Sequence, residues 1–300
     1  MVNHTYCNKN DDNNYSFIIY RQNIQGLKGK TNELMVSFSE LHNLICLYEH
    51  HLKYSEIDLV HIPSYELGAK YCRTTLKCGG VRIYIHKNIM FSNINLQKHC
   101  KEQDMEIAAV KLKFPKKSVI AFCVYRAPTG DLGYFLKQLD IILNSSHNPK
   151  TEFILCGDLN INYIGTNNKK TQLDNLLSTY NITGTVHFPT RITDTSFSTI
   201  DNIFVDSRNN YTIKPYISGL SDHDAELLKL NNLAQPIGII KLIYTRSIKK
   251  YAIAEFQSLL SWEQWDSVFG VNNVNMFNNF LNTYLRCYYA SFFFFLKKGT

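Results

Sequence analysis

Apolar residues along this chain fall mostly into short runs, and only a few segments space them three to four positions apart. Phe17-Ile-Ile-Tyr20 and Leu44-Ile-Cys-Leu47 read as short buried strands. Between them, in 30–42, Leu34, Met35, Phe38 and Leu41 are spaced to line one face of a helix. The same reading predicts strands at 80–85, 106–112, 119–125, 153–156, 200–205 and 226–230. Helices are predicted at 132–143, with Phe135, Leu136 and Leu139 inward, and at 171–180, with Leu173, Leu176 and Leu177 inward. Many strands with few interleaved helices imply two packed sheets with helices outside, a layered α/β sandwich rather than one all-parallel sheet.

A composition shift at Asn231-Asn-Leu-Ala-Gln-Pro236 marks a boundary near residue 231. Beyond it, Ile253, Phe256, Leu259 and Leu260, then Val274, Phe277, Leu281 and Leu285, are spaced as two amphipathic helices. The expected organisation is a polar leader over 1–16, a main domain over 17–230 and a helical segment over 231–300.

With 45% hydrophobic residues in 300, the chain can fill one large domain and a smaller appendage, which excludes overall disorder. Lys and Arg number 32 against 25 acids, and the resulting charge of +7 suits a polyanionic partner without requiring one. The eight cysteines form no CxxC pair and no zinc-ligand spacing, so they read as reduced core thiols. Residues 1–14 lack the apolar core of a signal peptide, which points to an intracellular protein. The apolar stretch 287–296 is too short to span a membrane, which takes about 20 residues.

Candidate chemistry sits at strand ends. Phe153-Ile-Leu-Cys-Gly-Asp-Leu-Asn160 ends an apolar strand with Asp158 and Asn160, whose side chains share a direction if the backbone stays extended. Such a pair can hold water or a phosphate oxygen near a hard cation, although Gly, Asp and Asn also favour an ordinary turn. Gly219-Leu-Ser-Asp-His-Asp224 sets Asp222 beside His223, a group that titrates near neutrality, in what could equally be a solvated loop. Asp201 interrupts the strand-like Ser198-Thr-Ile-Asp-Asn-Ile-Phe204, where a carboxylate needs a partner such as His223. Glu49 closes the strand over 44–47. Tyr20-Arg-Gln-Asn23 and Val124-Tyr-Arg-Ala-Pro128 end two more strands with groups able to contact phosphate. All five ends are expected at one carboxyl-terminal edge, the usual place for a ligand site in α/β folds.

The ordered set GDLN, SxID and SDH, over residues 17–230, resembles the endonuclease/exonuclease/phosphatase superfamily. Within it, the chain is most similar to the AP-endonuclease-like domain of non-LTR retrotransposon polyproteins. His187-Phe-Pro-Thr-Arg191 followed by Ser198-Thr-Ile-Asp201 resembles insect-type elements, and Phe256, Trp262, Trp265, Phe277 and Phe280 resemble the helical linker before a reverse transcriptase.

The resemblance implies a four-layer α/β sandwich of two mixed sheets flanked by helices, with a short C-terminal helical extension. It implies Mg²⁺ (or Mn²⁺) at Glu49 with Asp222 assisting. Tyr125, Arg126, Asn23 and Ser198 would contact DNA phosphate, Asp158 and Asn160 would align water, and Asp201 would orient His223. DNA is the implied substrate, nicked to leave a 3′-hydroxyl and a 5′-phosphate. A reverse transcriptase in a longer polyprotein is the implied partner, and the nucleus the expected location of an active copy. A decayed copy, or another phosphoesterase of the superfamily, is the alternative. Asn23-Ile-Gln25 departs from the family's repair enzymes, many of which have an acid where Gln25 stands. Gly29-Lys-Thr31 is not a P-loop, because Ile24 occupies the position of its first glycine.

Overall fold

The structure, a computed structural model, describes residues 16–38, 42–192, 196–231, 236, 242–246, 248–270, 273–292 and 294–298. The expected leader up to residue 15, Leu41 and residues 232–235 of the expected boundary lie outside the described residues. The chain divides into two compact units, Met1–Ile239 and Ile240–Thr300.

The first unit runs β1 (Phe17–Asn23), α1 (Thr31–Ser37), β2 (Leu44–Tyr48), β3 (Tyr65–Tyr71), β4 (Val81–His86), β5 (Phe91–Ile94), β6 (Glu106–Lys113), β7 (Ser118–Tyr125), α2 (Leu132–Ser146), β8 (Thr151–Asp158), α3 (Asn168–Ser178), β9 (Ile182–Gly184), β10 (Arg191–Ile192), β11 (Phe197–Ser198), β12 (Asp201–Asp206), β13 (Asn210–Tyr216) and β14 (Ala225–Asn231). One six-stranded sheet has the order β13-β14-β1-β2-β4-β3 and the other β5-β6-β7-β8-β12-β9, while β10 and β11 form a separate ribbon. Both sheets are mixed, since β1 and β2 pair in parallel, as do β7 and β8, and the remaining pairs are antiparallel.

Alternation along the strands builds three apolar layers. Phe17 and Ile19, Leu44 and Cys46, Val119, Ala121 and Cys123, Ile154 and Cys156, Ile203 and Val205, and Leu228 and Leu230 all face between the sheets. The opposite faces pack outward: Phe122, Phe153, Leu155 and Phe204 meet α2 and α3 through Phe135, Leu139, Leu173 and Leu177. On the other side, Tyr20, Ile45, Leu47 and Leu227 enclose Leu34 of α1. Each Val, Leu, Ile or Phe among these, fully buried, stabilises the fold by about 1.5–3 kcal/mol before entropy is counted. Both longer helices start at a side-chain cap: Asp131 accepts from Tyr134 N at 3.1 Å and Asn167 from Lys170 N at 2.8 Å.

The second unit contains β15 (Leu242–Arg246), α4 (Lys250–Trp262), α5 (Asp266–Phe269), α6 (Asn273–Ser291) and β16 (Phe294–Lys298), with β15 and β16 antiparallel. The aromatic spacing gives its core, where Phe256 of α4 meets Tyr284 and Tyr288 of α6 with ring centroids 5.3 and 6.0 Å apart.

Candidate active site

The face between the sheets is apolar until the strands reach one end, and there it turns polar. Continuing the two-residue alternation, β1 delivers Arg21 and Asn23, β7 delivers Tyr125, β8 Asp158, β12 Asp201 and β14 Glu226. The site is therefore the open end of the inter-sheet core. The expectation of five carboxyl-terminal ends needs correcting. Asp201 opens β12, and Asp222 and His223 precede β14, because these strands run antiparallel to β8 and β1 and so enter the sheet where their neighbours leave it.

Asn23 and Glu49 meet across the first pair of strands. The buried Asn23 Nδ2 donates to Glu49 Oε1 at 2.7 Å and to Asp158 Oδ2 at 2.9 Å, so one amide joins two carboxylates on different sheets. Glu49 lies just beyond β2 in the left-handed region, at φ 48°. Burial opposes its ionisation, but His51, with Nε2 3.5 Å away, and Asn23 outweigh this and hold its carboxyl below the usual range.

Asp158 is enclosed on all sides. Burial and the neighbouring Asp201 carboxylate push it up to about 7, against the opposing influence of His223 and Arg21. Asn160 does reach it, with Nδ2 donating to Asp158 Oδ1 at 3.1 Å, but not on an extended backbone. Asn160 has φ 51°, so the strand ends at Asp158 and a turn folds the amide back.

Asp201 and His223 are hydrogen-bonded, His223 Nδ1 to Asp201 Oδ2 at 2.8 Å, and Thr190 Oγ1 donates to the same oxygen at 2.7 Å. Arg21 takes the other oxygen. Burial opposes the Asp201 charge, yet Arg21 and His223 hold it well below the ordinary carboxylate range. His223 moves the other way: burial lowers it, and the hydrogen bond and charge of Asp201 more than reverse this. With Nδ1–H on Asp201, Nε2 is left for the site.

Tyr125 ends β7 directly opposite Asp158 in the register. Burial, with Glu49 and Asp158 nearby, pushes its phenol far above its usual value, so it is a neutral donor. Arg126 departs from the expectation of a phosphate contact. Its buried guanidinium donates to the carbonyls of Leu159 at 2.9 Å, Gly130 at 2.7 Å, Ala127 at 3.2 Å and Asn160 at 3.2 Å, and so it braces the loops around the site. Ser198 lies on the β10–β11 ribbon opposite Arg191, and its carbonyl accepts from Thr190 N at 2.9 Å. Asp222 is engaged too: Gln25 Nε2 donates to it at 2.5 Å and Arg191 Nε at 2.9 Å, while His223 Nε2 lies 3.8 Å away.

The residues present fit a divalent cation. Asp158, Asp201 and Glu226 are all buried and acidic, against Arg21 and His223, and Glu49 adds a further carboxylate, so hard oxygen donors carry a surplus of negative charge. Ligand atoms of Asp158, Asp201 and His223 lie within 4.8 Å of one another. Both oxygens of Asp201 are already taken, however, and Asp222 is held by Arg191. Both oxygens of Asp158 also accept, from Asn23 and Asn160, so Glu49, whose Oε2 lies 3.5 Å from His51 Nε2, is the carboxylate best placed for a cation.

Residues 119–226 match the model of a family described as endonuclease-reverse transcriptase. The endonuclease domain of TRAS1, a telomere-specific non-LTR retrotransposon, has a similar structure, with a TM-score of 0.57 and 14% identity over 73% of this chain and 99% of that one. The Xenopus laevis APE2 catalytic domain matches with a TM-score of 0.55 and 15% identity over 75% of this chain and 94% of its own. The 3′ phosphatase NExo from Neisseria, bound to a product DNA hairpin, gives 0.55 and 13% over 72% and 99%. No curated protein matches the sequence. The first unit therefore has the fold that these endonuclease and phosphatase domains share.

The site also holds residues that the sequence reading did not assign. Thr190 supports Asp201, Gln25 supports Asp222, and Glu226 pairs with Arg21. Arg21 was grouped with possible phosphate contacts, but it is fully buried. Its position two residues before Asn23 was the available signal, since period two puts both on the inter-sheet face.

Proposed function

We propose that the first unit is a divalent-metal-dependent DNA endonuclease that nicks one strand, leaving a 3′-hydroxyl from which a non-LTR retrotransposon primes reverse transcription. The observation that carries this reading is the Asn23 amide joining Glu49 and Asp158 beside the Asp201–His223 pair. Support for the retrotransposon setting comes from the endonuclease-reverse transcriptase match, the likeness to the TRAS1 domain and the sequence of the second unit.

Mg²⁺ or Mn²⁺, held by Glu49 with Asp222 near, would supply charge neutralisation at a phosphate oxygen. The chain's own groups do the rest. Asp158, with its raised affinity for a proton, takes one from the attacking water, while Asn160 and Asn23 fix its two oxygens. Tyr125 donates its hydroxyl proton in a hydrogen bond to the scissile phosphate. His223, whose hold on a proton Asp201 strengthens, donates Nε2–H to the same group while its Nδ1–H stays on Asp201. The net charge of +7 draws the polyanion to the protein.

Supercoiled plasmid provides the test. Nicked circles are expected with Mg²⁺ and none in excess chelator, and Glu49→Gln and Asp158→Asn should each abolish nicking in a folded protein. Nicking that persists in chelator, or at the native rate in Glu49→Gln, overturns the metal assignment. Activity confined to small phosphoesters would favour another branch of the superfamily.

A further inference from the structure

Arg21 touches both sheets at the point where the core becomes the site. One guanidinium nitrogen, Nη1, donates to Glu226 Oε2 on β14 at 2.5 Å. The other, Nη2, donates to Asp201 Oδ1 on β12 and lies 3.4 Å from the carbonyl of Gly157, the residue before Asp158 on β8. The guanidinium carbon stands 4.8 Å from the centre of the Tyr48 ring, which caps it. A single planar fork thus spans β1 and β14 of one sheet and β8 and β12 of the other.

Asp201 is consequently held at both oxygens, by Arg21 on one and by His223 and Thr190 on the other. A carboxylate fixed at one oxygen alone can rotate about its terminal bond and carry the imidazole with it. Fixed at both, it cannot. Glu226 is 0% exposed, and its Oε1 has no hydrogen-bond partner among the described residues. What it does is set the plane of the guanidinium, so that the second nitrogen of the fork meets Asp201. Stability alone is a poor reason for such a pair, because buried ion pairs are commonly no better than apolar residues of the same volume.

We infer that Arg21 and Glu226 form a positioning pair that sets the angle of His223 toward the substrate phosphate and keeps the two sheets in register at the site. The inference rests on the endonuclease reading for the role of His223, but its geometric part can be read without activity.

The test is the double variant Arg21→Met with Glu226→Met, which removes both charges together and keeps the volume. It should melt cooperatively near the native temperature. Its kcat for plasmid nicking should fall about 10- to 100-fold, the usual cost of losing a supporting partner, with KM within twofold. The ¹⁵N–¹H signal of His223 Nδ1, assigned by its loss in His223→Ala, should be sharp in the native protein and broadened in the variant. Native kcat together with a sharp Nδ1–H in the variant overturns the inference. If the double variant does not fold, Glu226→Gln, which leaves Arg21 in place, should still lower kcat several-fold at native KM, and a native kcat there counts against the pair. If the native protein fails to nick DNA, the functional reading fails, and the Nδ1–H signal alone then decides: broadened in the variant, it supports the positioning role, and unchanged, it overturns it.

Discussion

Replacing Asp201 with Asn changes one oxygen to NH2 and tests whether the buried acid and His223 work as one unit. The carboxylate has donors on both sides: Arg21 at Oδ1, and His223 Nδ1 at 2.8 Å with Thr190 Oγ1 at 2.7 Å at Oδ2. An amide has a single acceptor oxygen, so one side ends with donor facing donor. If the NH2 faces Arg21, a buried cation keeps Glu226 as its one carboxylate hydrogen-bond partner among the described residues, a cost toward the lower end of the roughly 3–5 kcal/mol seen when a buried pair is broken. If it faces His223, Nδ1 must give up its proton to accept from the amide, and the ring loses the acceptor that holds it oriented and doubly protonated. A charged hydrogen bond is worth about 1.5–3 kcal/mol, and 1.4 kcal/mol is tenfold, so kcat should fall between about 10- and 150-fold. KM should hold, since Asp201 is fully buried and touches no DNA. His223→Ala should lose at least as much, and the double variant far less than the product of the two losses. The assay is single-turnover nicking at saturating DNA and Mg²⁺ for the four proteins, with folding checked by thermal melts. Multiplicative losses would refute the unit, and a near-native rate in His223→Ala would remove that residue from the chemistry.

Three further outcomes are expected. Glu102 accepts from Thr74 N at 2.6 Å, Thr75 N at 2.9 Å, Leu76 N at 2.7 Å and Thr74 Oγ1 at 3.0 Å, and although burial opposes its charge these donors bring it down to about 2. Its folded value is thus below its unfolded one, so its contribution is present above about pH 4.3 and is lost as pH falls toward 2. Being only half-buried, it is screened by solvent and adds no more than about 1 kcal/mol, and parallel melting curves against pH for native protein and Glu102→Gln would dismiss it. Arg126→Gln should lower stability by about 1–3 kcal/mol through its unpartnered carbonyls and leave the salt dependence of DNA binding unchanged; a slope reduced by about one would restore Arg126 as a phosphate contact. A chain ending after Leu230 loses only the Asn231 end of β14 from the two large sheets, and should melt cooperatively and still nick DNA, which differential scanning calorimetry and the plasmid assay would check.

Much of this arrangement was legible because strands buried on both faces are written as apolar runs, and the residue closing each run is the one that chemistry can use. Thus 119–125 and 153–156 lead straight to Tyr125 and Asp158. The strands that escaped notice lack that signature. β3 breaks its alternation at a bulge between Leu67 and Ala69, β13 is an edge strand carrying Pro215, and β5 spans only Phe91–Ile94. α1 ends at Ser37, short of the expected helix over 30–42. Strand direction was illegible for a different reason. An acid looks the same in sequence whether it enters or leaves a sheet, so Asp201 and His223 were assigned to the wrong kind of end. Arg126 misled through its charge, since a polar residue beyond a strand can serve loop carbonyls as readily as phosphate.

The candidate site is a seam. Asn23, Glu49, His223 and Glu226 belong to the first sheet or its loops, and Tyr125, Asp158 and Asp201 to the second, so no single sheet carries a working set. Their relative placement is inherited from side chains well away from them, including the small Ala69, Ala108 and Ala121 that let the two sheets close on each other. Enlarging one of these would wedge the halves apart and silence the centre while leaving every acid, amide and imidazole in the sequence. An intact set of motifs therefore does not certify a live enzyme, and the alanines between the sheets are as telling as the aspartates at their edge.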